Sequence, residues 1–167
     1  MTTTRFSAER LMDAPADVVY RCIADYLHHH RPEGFLPPAF SDFRVERGGV
    51  GAGTVISFRM KLAGSSQSAT ADVSEPEPGR VLVETGPKVR TVFTVEPEGT
   101  RSRVRFDTTI DAGGLEGLLT RLFAARLLGP LYRDELERLE RYAQANADRI
   151  RAELDGPAQP TTPGEQR

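Results

Sequence analysis

All three histidines of the chain, His28, His29 and His30, stand side by side in the stretch YLHHHRPEGFLPPAF, residues 26–40. Histidine can ligate a metal, move a proton near neutral pH, or donate a hydrogen bond. A zinc site needs three or four ligands converging at about 2 Å, usually from separated positions. Adjacent residues diverge by about 100° on a helix and alternate on a strand, so three neighbours do not converge on one ion. The chain has a single cysteine and no H-E-x-x-H motif, and no metal is expected. Two readings stay open. The histidines belong to a polar loop, or one or two of them face a cavity as hydrogen-bond donors or as an acid/base. The same stretch carries Phe35, Leu36 and Phe40 around Pro37-Pro38. Apolar groups in such an irregular segment either tuck under a sheet or form a lid.

Other chemistry-bearing types are sparse. Cys22 has no sequence-neighbouring cation to activate it and falls on an apolar helical face, so packing is its expected role. The run GGVGAGT, residues 48–54, does not satisfy G-x-G-x-x-G, and a strand-like pattern follows it. A dinucleotide site needs a helix there, so the run reads as a tight hairpin turn requiring positive φ. Ser57, Ser65, Ser66 and Ser68 lack a nucleophile elbow. Arg101, Arg103 and Arg105 read as the solvated face of a strand. The polar groups left for a cavity are the histidines, Thr91, Thr108, Arg126 and Tyr132.

The elements that must position these residues follow from periodicity. Residues 5–13 form a first strand, with Glu9 and Arg10 unassigned to a face. Asp13 is a candidate cap and Pro15 a first-turn residue for a helix that places Val18, Val19, Cys22, Ile23 and Tyr26 on one face. From Phe43 about six short-turned strands follow, antiparallel by connection length. Ile56, Phe58, Met60 and Leu62 share one face; so do Val89, Thr91, Phe93 and Val95, and Val104, Phe106, Thr108 and Ile110. A long helix spans roughly 114–152. Its stripes are Leu115, Leu118, Leu119 and Leu122, then Leu128, Tyr132, Leu136, Leu139 and Ala143. Asp134 with Arg138 and Glu137 with Arg141 are acid-first i,i+4 pairs. Gly129-Pro130 should kink or break this helix, because proline removes an amide donor. Residues 153–167, rich in Pro and Gly, read as a disordered tail behind a single domain over 1–152.

The bulk numbers bound the function. A length of 167 residues suits one core, and a net charge of -2 offers no global attraction to nucleic acid or anionic lipid. No apolar run approaches the roughly 18 residues of a membrane span and no signal region opens the sequence, so a cytoplasmic protein without stable membrane insertion is expected.

MDAPADVVY, GGVGAGT before a strand, EPEPGRVLVE, TVFTVEPEGT and the closing LYRDELERLERYA together resemble START-like, Bet v 1-like (SRPBCC) proteins, in the bacterial polyketide cyclase/dehydrase-like branch. The resemblance spans about residues 5–145. It implies an α+β helix-grip fold: a seven-stranded antiparallel sheet wrapped around a long C-terminal helix, with a hydrophobic cavity between them and no cofactor. It also implies that residues 26–40 cover the cavity mouth. The expected function is binding of a hydrophobic small molecule, lipid- or polyketide-like. One alternative is a polyketide cyclase, aromatase or dehydratase using a cavity His or Tyr as acid/base. Another is a protein-interaction module like the stress co-chaperone domains. The expected lining draws on Phe58, Met60, Thr91, Phe93, Phe106, Thr108, Leu119, Phe123 and Tyr132, with one of His28, His29 and His30 at the rim. Ala69 and Ala71, small where a filled core prefers bulk, leave room. Sequence does not assign a catalytic residue, a ligand identity or an oligomeric state.

Overall fold

The computed structural model describes residues 2–112 and 114–156, with side chains placed over 3–111 and 126–156. The strands are β1 (Thr2–Met12), β2 (Phe40–Arg47), β3 (Val55–Leu62), β4 (Ser65–Glu77), β5 (Val81–Thr85), β6 (Val89–Glu98) and β7 (Arg101–Ala112). They form one antiparallel sheet in the order β1-β7-β6-β5-β4-β3-β2. Helix α1 (Ala16–Ala24) and the histidine-bearing loop connect the two edge strands, β1 and β2, and helix α2 (Gly114–Asp155) closes the domain. This is the helix-grip architecture.

Alternation determines which side chains look inward. Thr91 lies opposite Thr108 and Phe93 opposite Phe106 across β6 and β7, and all four are buried. Ile56 is buried, while Phe58, Met60 and Leu62 are half-buried against the core. From α2, Leu128, Tyr132, Leu136, Leu139, Ala143 and Ile150 join the same buried core. Register shifts in β2 and β4 add local bends to the strands.

Several local expectations change. Asp13 does not cap α1: the residue preceding the helix is Pro15, and the Asp13 amide donates to Glu140 of α2 at 2.9 Å. Arg10 also turns to α2, with Nε 2.6 Å from Glu140, while Glu9 stays exposed and pairs with Arg103. Asp134 pairs with Arg138 as expected, but Glu137 approaches Arg10 at 3.9 Å. A tertiary partner thus replaces the helical one. Helix α2 runs through Pro130 without a break. Pro130 and Arg126 are both exposed, so water can satisfy the Arg126 carbonyl that the missing amide leaves free. The helix continues to Asp155, three positions past the expected end, and the remaining tail, 157–167, lies outside the described residues.

The β2–β3 connection is the tight turn anticipated for GGVGAGT, with positive φ at Gly48, Gly49, Gly51 and Gly53. A Cβ on Gly51 would fall 2.3 Å from a carboxylate oxygen of Glu75. The Gly49 carbonyl accepts from the Tyr26 amide at 2.9 Å, and the Gly51 amide donates to the Ala24 carbonyl at 2.9 Å. This turn therefore anchors the start of the histidine loop.

Candidate functional site

Between the inner face of the sheet and α2 lies a cavity of about 490 Å³. Its walls include Phe40, Phe58, Met60, Ala69, Ala71, Phe93, Ile110 and Leu128. The small side chains of Ala69 and Ala71 on β4 face the space. Thr91, Thr108 and Tyr132 also line it, as do His30, Glu84 and Glu135. The exposed part of the described lining is Gln67, Ser68 and Thr70 on β4 and residues 87–89 at the β5–β6 turn. The 26–40 stretch, expected to cover the mouth, reaches the chamber through Phe40 at its end. That loop contributes buried His30 and Leu36 and closes its side.

The three histidines separate. His28 is exposed, and its Nδ1 lies 3.1 Å from the Asp25 carboxylate. His29 is fully buried: Nδ1 is 2.8 Å from the Tyr142 hydroxyl, and Nε2 is 3.2 Å from Glu153. Among the described lining only His30 reaches the cavity, and at 3% exposure it sits in the interior rather than at a rim. Gly34 lets the loop close on itself, since a Cβ there would overlap the His29 carbonyl. Leu119 and Phe123 fall where side chains are not described. Phe106 belongs behind the wall: it is fully buried and edge-on to Phe93 at 4.7 Å, so it supports the lining without forming it. Arg126 is exposed and takes no part among the described lining.

One end of the cavity is polar. His30 is stacked between Tyr26 (4.6 Å between ring centres) and Phe35 (4.9 Å). Its Nδ1 lies 2.8 Å from the Ile23 carbonyl. A carbonyl can only accept, so Nδ1 carries the proton and Nε2 presents its lone pair. Burial pushes the His30 pKa down to about 4, so the ring is neutral at pH 7. Nε2 lies 4.0 Å from Glu135, and Nδ1 lies 3.9 Å from Glu84. The Tyr26 hydroxyl donates to Glu84 at 2.7 Å. Burial raises the Glu84 pKa to about 7, against the lowering effect of that hydrogen bond. Burial, then the Glu84 and Asp134 charges, raises Glu135 to about 8. Nothing hydrogen-bonds the Glu135 carboxyl among the described residues. Beside it the Tyr132 hydroxyl lies 2.6 Å from Thr108 Oγ1, itself 2.9 Å from Thr91 Oγ1.

Glu84 and Glu135 are not among the residues singled out by sequence, although both carry a signal. Glu84 shares the inward face of β5 with fully buried Leu82. Glu135 falls three residues after Tyr132 and seven after Leu128, an acid on the apolar stripe.

A second cluster lies outside the cavity. Donor atoms of Asp25, His29 and Glu153 come within 4.8 Å of one another. Those of Asp25 are already engaged: the Leu27 and His28 amides donate to Oδ1, and Arg21 lies 3.1 Å from Oδ2. The set reads as an internal ion-pair and hydrogen-bond network tying the loop to α2. Cys22, fully buried, has its thiol pushed up to about 12 by burial, as packing requires.

Comparison with known proteins agrees with this geometry. No curated protein sequence matches the chain. The solved KanY protein has 28% identity, a TM-score of 0.73, and coverage of 86% of this chain and 99% of that one. The Zhui aromatase/cyclase from Streptomyces sp. R1128 has 17% identity and a TM-score of 0.69, covering 87% of this chain and 96% of its own. A START superfamily protein from Mycobacterium smegmatis has 15% identity and a TM-score of 0.64, covering 84% and 98%. The model of the family described as polyketide cyclase / dehydrase and lipid transport matches residues 3–144, and with the helix-grip sheet, the closing helix and the chamber between them, the chain is a member of that family.

Proposed function

We propose that the protein binds a hydrophobic small molecule of lipid- or polyketide-like size in the chamber between sheet and α2. The observation that carries this reading is a space of about 490 Å³ with mostly apolar walls and a cluster of polar groups around His30. That is the composition of a small-molecule site, where apolar area drives entry and a few polar groups fix orientation. The ligand-contacting set is Phe58, Met60, Thr91, Phe93, Thr108, Tyr132 and His30, all expected from sequence, with Glu84 and Glu135 added. The family's description, polyketide cyclase / dehydrase and lipid transport, and the fold shared with the Zhui aromatase/cyclase support the ligand class.

The test is titration with Nile red, a neutral fluorescent probe, and its displacement by the flat polycyclic ketone anthrone. Saturable binding is expected, and Ala69→Phe, which fills the chamber from β4, should abolish it while leaving the circular dichroism unchanged. Absence of saturable binding, or binding indifferent to Ala69→Phe, would overturn the reading.

A second reading, acid/base chemistry on a bound ketone, is favoured by one observation. A neutral imidazole with a free Nε2 lies 4.0 Å from a carboxyl raised to about 8, a base beside an acid at neutral pH. Its test is deuterium uptake at the carbon next to the carbonyl of bound 2-tetralone, followed by NMR. Uptake lost in His30→Gln supports it, and uptake at the buffer rate rejects it.

A further inference from the structure

The polar end of the chamber contains acceptors without a matching cation among the described residues. Glu84, Glu135 and the Nε2 lone pair of His30 gather there, with His30 within 4.0 Å of both acids. Among the described lining, the one basic side chain besides His30 is Lys88, exposed at the β5–β6 turn. Glu135 is 3% exposed, opens into the chamber and is unpartnered among the described residues. The edge of Phe93 meets His30 at 5.8 Å, so an aromatic wall borders the same end.

We propose that the ligand of this chamber carries a protonated amine on an apolar body, held by the Glu84 and Glu135 carboxyls and His30 Nε2. This deepens the binding reading and rests on it. A primary ammonium has three N–H donors; Glu135 and His30 Nε2 lie 4.0 Å apart, and Glu84 stands 3.9 Å from Nδ1 on the other side of the ring. Its charge compensates a carboxylate where no described side chain does, and charge-assisted hydrogen bonds are the stronger kind. A neutral ketone would accept from a protonated acid and leave the His30 Nε2 lone pair unfilled. A fatty-acid carboxylate would enter beside two acids, with its only described cation at the mouth.

Without ligand both acids hold protons near neutrality, since Glu84 titrates at about 7 and Glu135 at about 8. An ammonium favours their ionised forms, so a proton leaves to solvent as the cation binds. Affinity for the amine should fall by up to about tenfold per pH unit as pH drops below 7, the slope of one linked proton. The groups facing these acids are Tyr26 and His30 from the α1 side and Tyr132 from α2, with Asp134 adjacent on α2 and Lys88 across the chamber. Burial keeps both tyrosines neutral and His30 uncharged over that range, while Asp134 is committed to Arg138.

The experiment compares three probes on one ring: 1-naphthylmethylamine, 1-naphthalenemethanol and 1-naphthoic acid. Each is titrated calorimetrically into the full chain at pH 7.5 and pH 6, in two buffers of different ionisation enthalpy. The amine should bind at least about tenfold more tightly than the alcohol at pH 7.5, with proton release, and the acid most weakly. Glu135→Gln and, independently, Glu84→Gln should each weaken amine binding more than alcohol binding and so reduce the preference. Equal affinity for amine and alcohol, tighter binding of the acid, or a preference that survives both substitutions in folded protein overturns the proposal and leaves the chamber intact as a binding site. Failure of all three probes overturns the binding reading together with it.

Discussion

Replacing Glu135 with glutamine should make the protein more stable at high pH and leave it nearly unchanged at low pH. The side chain is 3% exposed and its pKa rises from 4.5 to about 8, chiefly through burial. A raised carboxyl pKa means that the folded state binds the proton more tightly than the unfolded chain does. Stability is therefore full below about pH 4.5, declines as pH rises through the window, and has lost its whole share above about 8. At about 1.4 kcal/mol per pH unit of displacement, the ceiling on that share is about 4 to 5 kcal/mol. Water entering the chamber and relief at Glu84 reduce it, so about 3 kcal/mol is the expected size. Glutamine keeps the shape of the protonated acid and has no charge to bury. Urea unfolding of wild type and Glu135→Gln, followed by circular dichroism at pH 5 and pH 9, isolates the effect. The cost of an amide in place of an acid appears at both pH values and cancels in the difference. The variant should gain about 3 kcal/mol on wild type between pH 5 and pH 9. A gain under about 1 kcal/mol, or a relative loss, would show that Glu135 is already ionised or compensated in the empty chamber, and the electrostatic account of the polar end would fail.

The remaining expectations concern packing and the backbone. Leu139→Ala removes a fully buried side chain where α2 meets the sheet and should cost about 2 to 5 kcal/mol in urea unfolding. Tyr132→Phe leaves Thr108 without its 2.6 Å partner and should cost about 1 to 2 kcal/mol without altering the helical circular dichroism. Pro130→Ala restores an amide donor to the Arg126 carbonyl on an exposed turn and should raise stability by about 1 to 2 kcal/mol, after allowance for the looser unfolded chain. A thermal melt showing a lower midpoint for Pro130→Ala would mean that the helix depends on the proline.

Local pattern determined most of this architecture. Strand alternation is a property of neighbouring residues, so spacing alone assigns Thr91 and Phe93 to one face of their strand, and Phe106 and Thr108 to one face of theirs; all four are buried in the fold. The stripe from Leu128 to Ala143 likewise marks the helix face that packs against them. Glycines with positive φ mark the turn at 48–54 for the same local reason. Tertiary structure decided what alternation does not encode. Three consecutive histidines look equivalent in sequence, yet one meets solvent, one meets Tyr142 and Glu153, and one enters the chamber. Their separation depends on how the loop folds against α1, α2 and the glycine turn, contacts made across long stretches of chain. Glu137 turns from its helical neighbour toward Arg10 because β1 brings that cation beside α2. Glu84 and Glu135 become a pair only when β5 and α2 are brought to the two sides of His30. Each acid shows in its own segment only as a charge on an otherwise apolar face, with no hint of its partner. Their raised pKa values arise from shared burial, which is a property of the assembled core and of no single stretch of sequence.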